Sequence, residues 1–244
     1  MSKFPFFVLI LLFTSSWLRA QEPEQFVEVR FLFLDESGGQ YAVEQSDRFR
    51  TVSSYPYAIS SPVTHLAGER LSVYKHLPEQ LEEEASEHDQ QPMTKIGEIR
   101  LPNQETEILV VIRPGEKGEP FRARIYPSDT NRFPPSSIRV INLGVSTIAV
   151  NVGANLEQIE PGDFKVIEAQ ADHKHRLITR VAHRTSDDWQ MMYDSVLILR
   201  PDERITGVVV FSPSGMRHTY TQAELIEFGD PPPRHQWLSY TSEP

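Results

Sequence analysis

The chain is expected to be all-β: two tandem antiparallel β-sandwich domains that arose by internal duplication. Three observations lead there. From Phe26 onward, short runs rich in Val, Ile, Phe and Tyr alternate with clusters of Gly, Pro, Ser, Asn and Asp, and helical periodicity is nearly absent. A strand bracketed by prolines occurs twice, Pro102 to Pro114 (PNQETEILVVIRP) matching Pro201 to Pro213 (PDERITGVVVFSP) without a gap. The rest of the second half repeats the first at an offset that only falls along the chain, from 109 for Arg30 and Arg139 to 94 for Tyr126 and Tyr220.

The first segment, 1–20, is set aside from the fold. Lys3, the apolar run from Phe4 to Phe13 and the ending Leu18-Arg19-Ala20 have the form of a secretory signal peptide cut after Ala20. The run is short of the ~20 apolar residues of a spanning helix. No membrane span is therefore expected in the mature chain.

Domain 1 is expected over 26–127. Its strands are read at 27–34, 40–45, 48–52, 57–60, 70–76, 95–101, 107–113 and 122–126, a number suited to an immunoglobulin-like sandwich. Between the fifth and sixth lies the acidic loop 78–92 (PEQLEEEASEHDQQP), whose carboxylates repel one another and which has few apolar anchors. It reads as a mobile loop or a frayed helical turn. A calcium-binding or partner-docking loop is the alternative, but the stretch lacks the glycine that turns calcium loops.

The segment 128–136 contains Pro134-Pro135 in a polar setting, which cannot continue a sheet, and is expected to link the domains. Domain 2 is expected over 137–221. Ala42, Val43, Phe49, Val52, Tyr57 and Ile59 answer to Ala149, Val150, Leu156, Ile159, Phe164 and Val166, Leu71 to Leu177, and Ile99 to Ile198. Arg139 points outward from its strand and is expected solvated or paired. ILVVI and VVVF are apolar on both faces, as strands covered on both sides are, with the sister domain or a partner on the second face. The tail 222–244 carries Pro231-Pro232-Pro233, then Trp237 and Tyr240, either strapped onto a domain or awaiting a partner.

The formal net charge is −10, and removing Lys3 and Arg19 leaves 22 basic against 34 acidic residues, or −12. Such a surface repels phosphate backbones, so no nucleic-acid partner is expected. Zero cysteines leave no disulfide and no thiolate chemistry. Export without cysteine suggests a periplasmic or secreted bacterial protein.

The chain has no G-x-S-x-G elbow, no H-E-x-x-H and no glycine-rich phosphate loop. No catalytic residue, no cofactor and no metal are expected, although carboxylate pairs distant in sequence carry no short signature. His173 and His175 in Asp172-His173-Lys174-His175-Arg176 are candidate metal ligands if they share a strand face. A polar turn before the strand from Leu177 to His183 is the competing reading. Trp189 is expected as a core plug, with a stacking platform for sugar rings as the alternative. Trp237 and Tyr240 are the other candidate binding residues.

The second copy opens with Arg139-Val140-x-Asn142 in its first strand and a Pro161-Gly162 turn before its third. Over about thirty residues this resembles exported bacterial β-sandwich domains of unknown function. Such families imply no activity. Periplasmic pilus chaperones are similar in architecture alone: exported, two sandwich domains long and given to adding a subunit strand to an exposed edge. They are basic, however, and this chain is acidic.

The expected function is therefore non-catalytic: binding to, or structural support of, a protein or glycan of the envelope or extracellular space. A chaperone-like assembly factor working by edge-strand addition is one alternative. A carbohydrate-binding module or carboxylate-dependent glycan hydrolase is another. Homo-oligomers through the strands apolar on both faces are a further expectation.

Overall fold

The computed structural model describes residues 24–34, 40–45, 48–53, 59–76, 93–113, 115, 121–211, 217–225 and 240–241. The segment 1–20, the acidic stretch 78–92 and Trp237 lie outside these. The described residues are all-β. The strands of the first half are β1 (Phe26–Phe33), β2 (Tyr41–Gln45), β3 (Arg48–Ser53), β4 (Val63–Leu66), β5 (Arg70–His76), β6 (Met93–Arg100), β7 (Glu107–Arg113) and β8 (Arg122–Pro127). The second half adds β9 (Ser137–Asn142), β10 (Ile148–Val152), β11 (Asn155–Ile159), β12 (Phe164–Glu168), β13 (Arg176–Arg184), β14 (Trp189–Ile198), β15 (Glu203–Phe211), β16 (Arg217–Leu225) and β17 (Tyr240–Thr241).

They form four sheets: A (β4-β1-β7-β8), B (β3-β2-β5-β6), C (β12-β9-β15-β16-β17) and D (β11-β10-β13-β14). Adding eight to each strand number of A and B gives the order of C and D, apart from the extra β17. One feature departs from the antiparallel expectation. β1 pairs in parallel with β7, and β9 with β15. Each seventh strand reaches the first only after the chain has crossed to the other sheet and returned, so no hairpin fixes its direction.

Alternation along the strands fills three cores. Phe31, Phe33 and Val110 of sheet A meet Val43, Leu71 and Val73 of sheet B. Ile138, Val140 and Val209 of sheet C meet Val150, Val181 and Leu197 of sheet D. The third core lies between A and C: Leu32, Leu34, Leu109, Val111 and Tyr126 against Ile141, Leu143 and Val208. The layers thus run B, A, C, D, which explains why ILVVI is apolar on both faces: Ile108 and Val110 face sheet B, while Leu109 and Val111 face sheet C.

The pairing registers revise several correspondences. Leu109 faces Tyr126 and Val208 faces Tyr220, in keeping with the repeat. Phe49 faces Glu44 as Leu156 faces Asn151. Ile99, however, is answered by Leu197 and not Ile198, since they face Leu71 and Leu177 respectively. Ile59 is answered by Phe164 and not Val166: Ile59 bridges Leu32 where Phe164 faces Ile141. No strand forms at 59–60 beyond that bridge, and β4 starts only at Val63. Pro62 lacks the N–H that would continue the ladder between them. At the other end, β16 runs to Leu225 opposite Glu203, four residues beyond the domain end expected at 221.

Candidate functional site

Among the described residues, buried charged side chains converge between sheets A and C. Arg139 does point out of its own sheet, but sheet A covers that face and leaves the residue 1% exposed. Its Nη1 donates to Pro127 O (3.0 Å) and Ser128 Oγ (2.9 Å), and its Nη2 to Thr206 Oγ1 (3.0 Å). Arg204 donates to Ser128 O and Phe133 O and holds Glu107 through Nη2, 3.1 Å from Oε1. Arg30 Nε stands 3.6 Å from the same Oε1. The ring of Phe133 lies against both guanidiniums, 4.5 Å from Arg139 and 5.0 Å from Arg204. Planar guanidinium forks suit this combination of carbonyl, carboxylate and ring. Because these donors reach main-chain carbonyls between β8 and β9, the cluster is a clamp on that segment.

The exposed surface with the most distinctive chemistry is the outer face of sheet D. β13 alternates Leu177, Thr179, Val181 and His183 inward with Arg176, Ile178, Arg180, Ala182 and Arg184 outward. β14 answers with Met191, Asp194 and Val196 outward, an extra residue at Met192 forming a bulge. Ile178 is 49% exposed and lies opposite Val196 at 48%, and Met191 is 51% exposed. Leu156 extends the apolar surface on β11, and Arg180 Nε meets Asp194 Oδ1 at 3.2 Å between the apolar rows. The corresponding face of sheet B is polar in comparison. There Tyr74 donates to Glu44 (2.8 Å), and Glu98 binds Lys95 (2.5 Å) and Arg70 (3.3 Å). The Lys95 and Arg70 bonds hold the Glu98 carboxyl below its ordinary range.

His173 and His175 do not share a strand face. They stand in the turn before β13, with His175 at φ 61°. Asp172 organises that turn, its Oδ1 accepting from Lys174 N (2.8 Å) and Arg176 N (2.9 Å) and its Oδ2 from Arg176 Nε (2.8 Å). Hydrogen bonds from the Arg176 side chain and backbone hold the Asp172 carboxyl well below the usual carboxylate range. A carboxylate so engaged is a poor partner for a metal. Among the described residues no three His, Asp or Glu side chains come together as a ligand set.

Trp189 is half-exposed, contrary to the core reading. The tight β13–β14 turn, where Thr185 Oγ1 and N both reach Asp188 O at 2.8 Å, delivers it at the start of an edge strand facing Arg184. Tyr240 lies in β17, which pairs with His218 and Thr219 of β16. Two clefts each hold one carboxylate. The first contains Glu105, 3.6 Å from Arg132, among Leu101, Pro102 and Ile125; the second contains Glu168 beside Pro134, Val152 and Asn155.

Sequence reasoning missed Ile178, Met191 and Val196 as surface residues, and Arg204 and Glu107 as partners. The first omission had a signal: on a period-two strand Ile178 shares its face with Arg176 and Arg180. No family model matches the chain, and no curated protein matches it.

Proposed function

We propose that the chain is an exported, non-catalytic binding or structural protein of two tandem immunoglobulin-like β-sandwich domains derived by duplication. In this reading it acts on a partner protein of the envelope or extracellular space through the outer face of sheet D. The single observation that carries this is the concentration of half-exposed Ile178, Met191 and Val196 on one side of one sheet. An apolar surface left open on an otherwise acidic chain favours contact with another macromolecule. The matching strand order of the two halves supports the duplication.

A protein partner is favoured over a glycan by the arrangement of the aromatics. Phe49, exposed on sheet B, and the half-buried Tyr74 meet edge to face at 72°, which offers no flat platform to a sugar ring.

The test is affinity capture from envelope extract, with the chain and its Ile178→Asp variant as baits and both protein and polysaccharide analysed. One protein enriched by the parent and lost by the variant, with both baits equally stable in urea, is the expected result. Enrichment of glycan alone, or of the same protein by both baits, overturns the reading.

A further inference from the structure

In the second half, the β10–β11 hairpin and the end of β12 line a cleft of about 560 Å³, a size typical of small-molecule sites. Its floor is apolar, with Val152 and Ala169 both buried and Pro134 beside them. Its rim accepts hydrogen bonds. Glu168, Gln170 and Asn155 stand there, all exposed, and no Lys, Arg or His lines the cleft. Asn155 Nδ2 donates to Glu168 O at 2.8 Å, which ties the hairpin to β12 and leaves the Asn155 amide oxygen free to accept. Among the described residues no cation pairs with the Glu168 carboxylate. Lys165, the nearest cation in sequence, stands 3.8 Å from Glu157 instead.

The first half builds the same corner differently. Glu28 faces Thr64 where Ser137 faces Glu168, and Gln45 Nε2 donates to Thr64 O at 3.0 Å where Asn155 donates to Glu168 O. The hairpin there closes on Gln45 and Arg48, and not on Val152 and Asn155. A threonine thus stands in place of the carboxylate and a guanidinium in place of the amide. The accepting rim belongs to the second half.

We propose that this cleft binds an aliphatic ammonium group, with the stem on the apolar floor and the charge at the rim. A rim of acceptors around one unpaired carboxylate selects a ligand that brings both donors and positive charge. An ammonium carries three N–H donors that can meet a carboxylate and two amide oxygens on separate residues, whereas a guanidinium fork matches the two oxygens of one carboxylate. A stem of about four methylenes covers apolar surface while its charged head stays in water, as lysine does. Glu168 repels anions, and the net charge of −10 draws cations toward the chain. Two sources supply this chemistry, a lysine side chain of another protein and a free diamine. The inference does not depend on the outer face of sheet D.

The probes are diaminopentane and a capped glycine peptide with one central lysine, titrated into the isotope-labelled full chain and followed by amide chemical shifts. We expect saturable shifts confined to residues 152–155 and 168–170, with a dissociation constant on the order of 1 mM. Tighter binding of the diamine assigns the cleft to a free small molecule, and tighter binding of the peptide assigns it to a partner's lysine. Pentanol, which keeps the stem and lacks the charge, should bind at least about tenfold more weakly, and added salt should weaken the amines. Glu168→Gln, a substitution of equal size at an exposed position, should weaken them about tenfold. Gln170→Lys, which places an ammonium in the rim itself, should abolish binding, and neither variant should move the urea midpoint. Equal binding of pentanol, or undiminished binding by Glu168→Gln, overturns the proposal. So does tighter binding of pentylguanidine, since the rim would then select a fork. Shifts spread over the acidic surface, or none that saturate, overturn the site altogether. Capture through Ile178 is a separate result and is untouched by any of these.

Discussion

Asn142 shows how much one side chain can organise. Fully buried at the end of β9, it donates to Ser146 O and Ile159 O, both at 2.9 Å, and accepts from Gly144 N at 2.9 Å. Its carbonyl accepts from Gly162 N (2.7 Å), and Gly162 takes φ +86° in the turn after Pro161. The Arg-Val-x-Asn strand and the Pro-Gly turn visible in the sequence are thus one device. Asn142→Ala, which strands buried main-chain groups, should cost about 2–3 kcal/mol in urea unfolding. At Asp172 the reasoning concerns pH. Its carboxyl is held below its ordinary value by Arg176, so the folded state binds that proton less readily than the unfolded chain. The stabilisation is therefore present above the unfolded-state value near 4 and is lost as pH falls through the lower folded-state value. Asp172→Asn should flatten the acid limb of the stability profile and leave stability changes above neutrality unaltered. Tyr126 gives the opposite sign. Burial raises its phenol, so its contribution is complete below the ordinary value near 10 and declines as pH rises beyond it. Tyr126→Phe should remove that alkaline loss, measured by urea titration across the range.

At the scale of elements, the strands were legible because burial on one or both faces writes itself into alternation. β7 begins and ends where its apolar run and flanking charges place it, at Glu107 and Arg113. Their partners were less legible. Parallel pairing of β1 with β7 joins segments far apart in sequence, and the Arg204–Glu107 contact links residues 97 apart. An isolated glutamate at a strand start carries no mark of the arginine it will meet. The turn holding His173 and His175 was open to two readings because alternation alone does not reveal that Asp172 closes a turn there. The clamp itself makes a prediction. Glu107 is the carboxylate shared by Arg30 and Arg204, so Glu107→Ala should cost about 3 kcal/mol by leaving buried charge uncompensated. In an Arg204→Met background the same substitution should cost about 1 kcal/mol less. Urea unfolding of the four proteins measures the coupling directly, and additive losses would mean that the bridge contributes nothing of its own.

For the whole molecule, the decisive surface is the third core. Two halves joined by a loose connection would melt independently, but here Leu109 and Val111 of one half are buried like residues of the individual cores, and they pack against Ile141 and Val208 of the other. Each such side chain contributes about 1.5–3 kcal/mol when fully buried, and the arginine clamp fixes the segment between the halves against the same interface. Independent motion would expose all of this at once. Differential scanning calorimetry of the chain should therefore give one transition whose calorimetric and van't Hoff enthalpies agree. Leu109→Asp places an unpaired carboxylate in the middle of the shared core while leaving Ile108 and Val110 facing sheet B, so its damage falls first on the contact between halves. That variant should resolve into two transitions, with the first half melting earlier, whereas Val110→Asp, aimed into the core between sheets A and B, should unfold that half outright. If Leu109→Asp lowers the melting temperature but keeps a single transition, the halves owe their cooperativity to the clamp rather than to the apolar contact. Repeating the scan with Glu107→Ala would then have to split it.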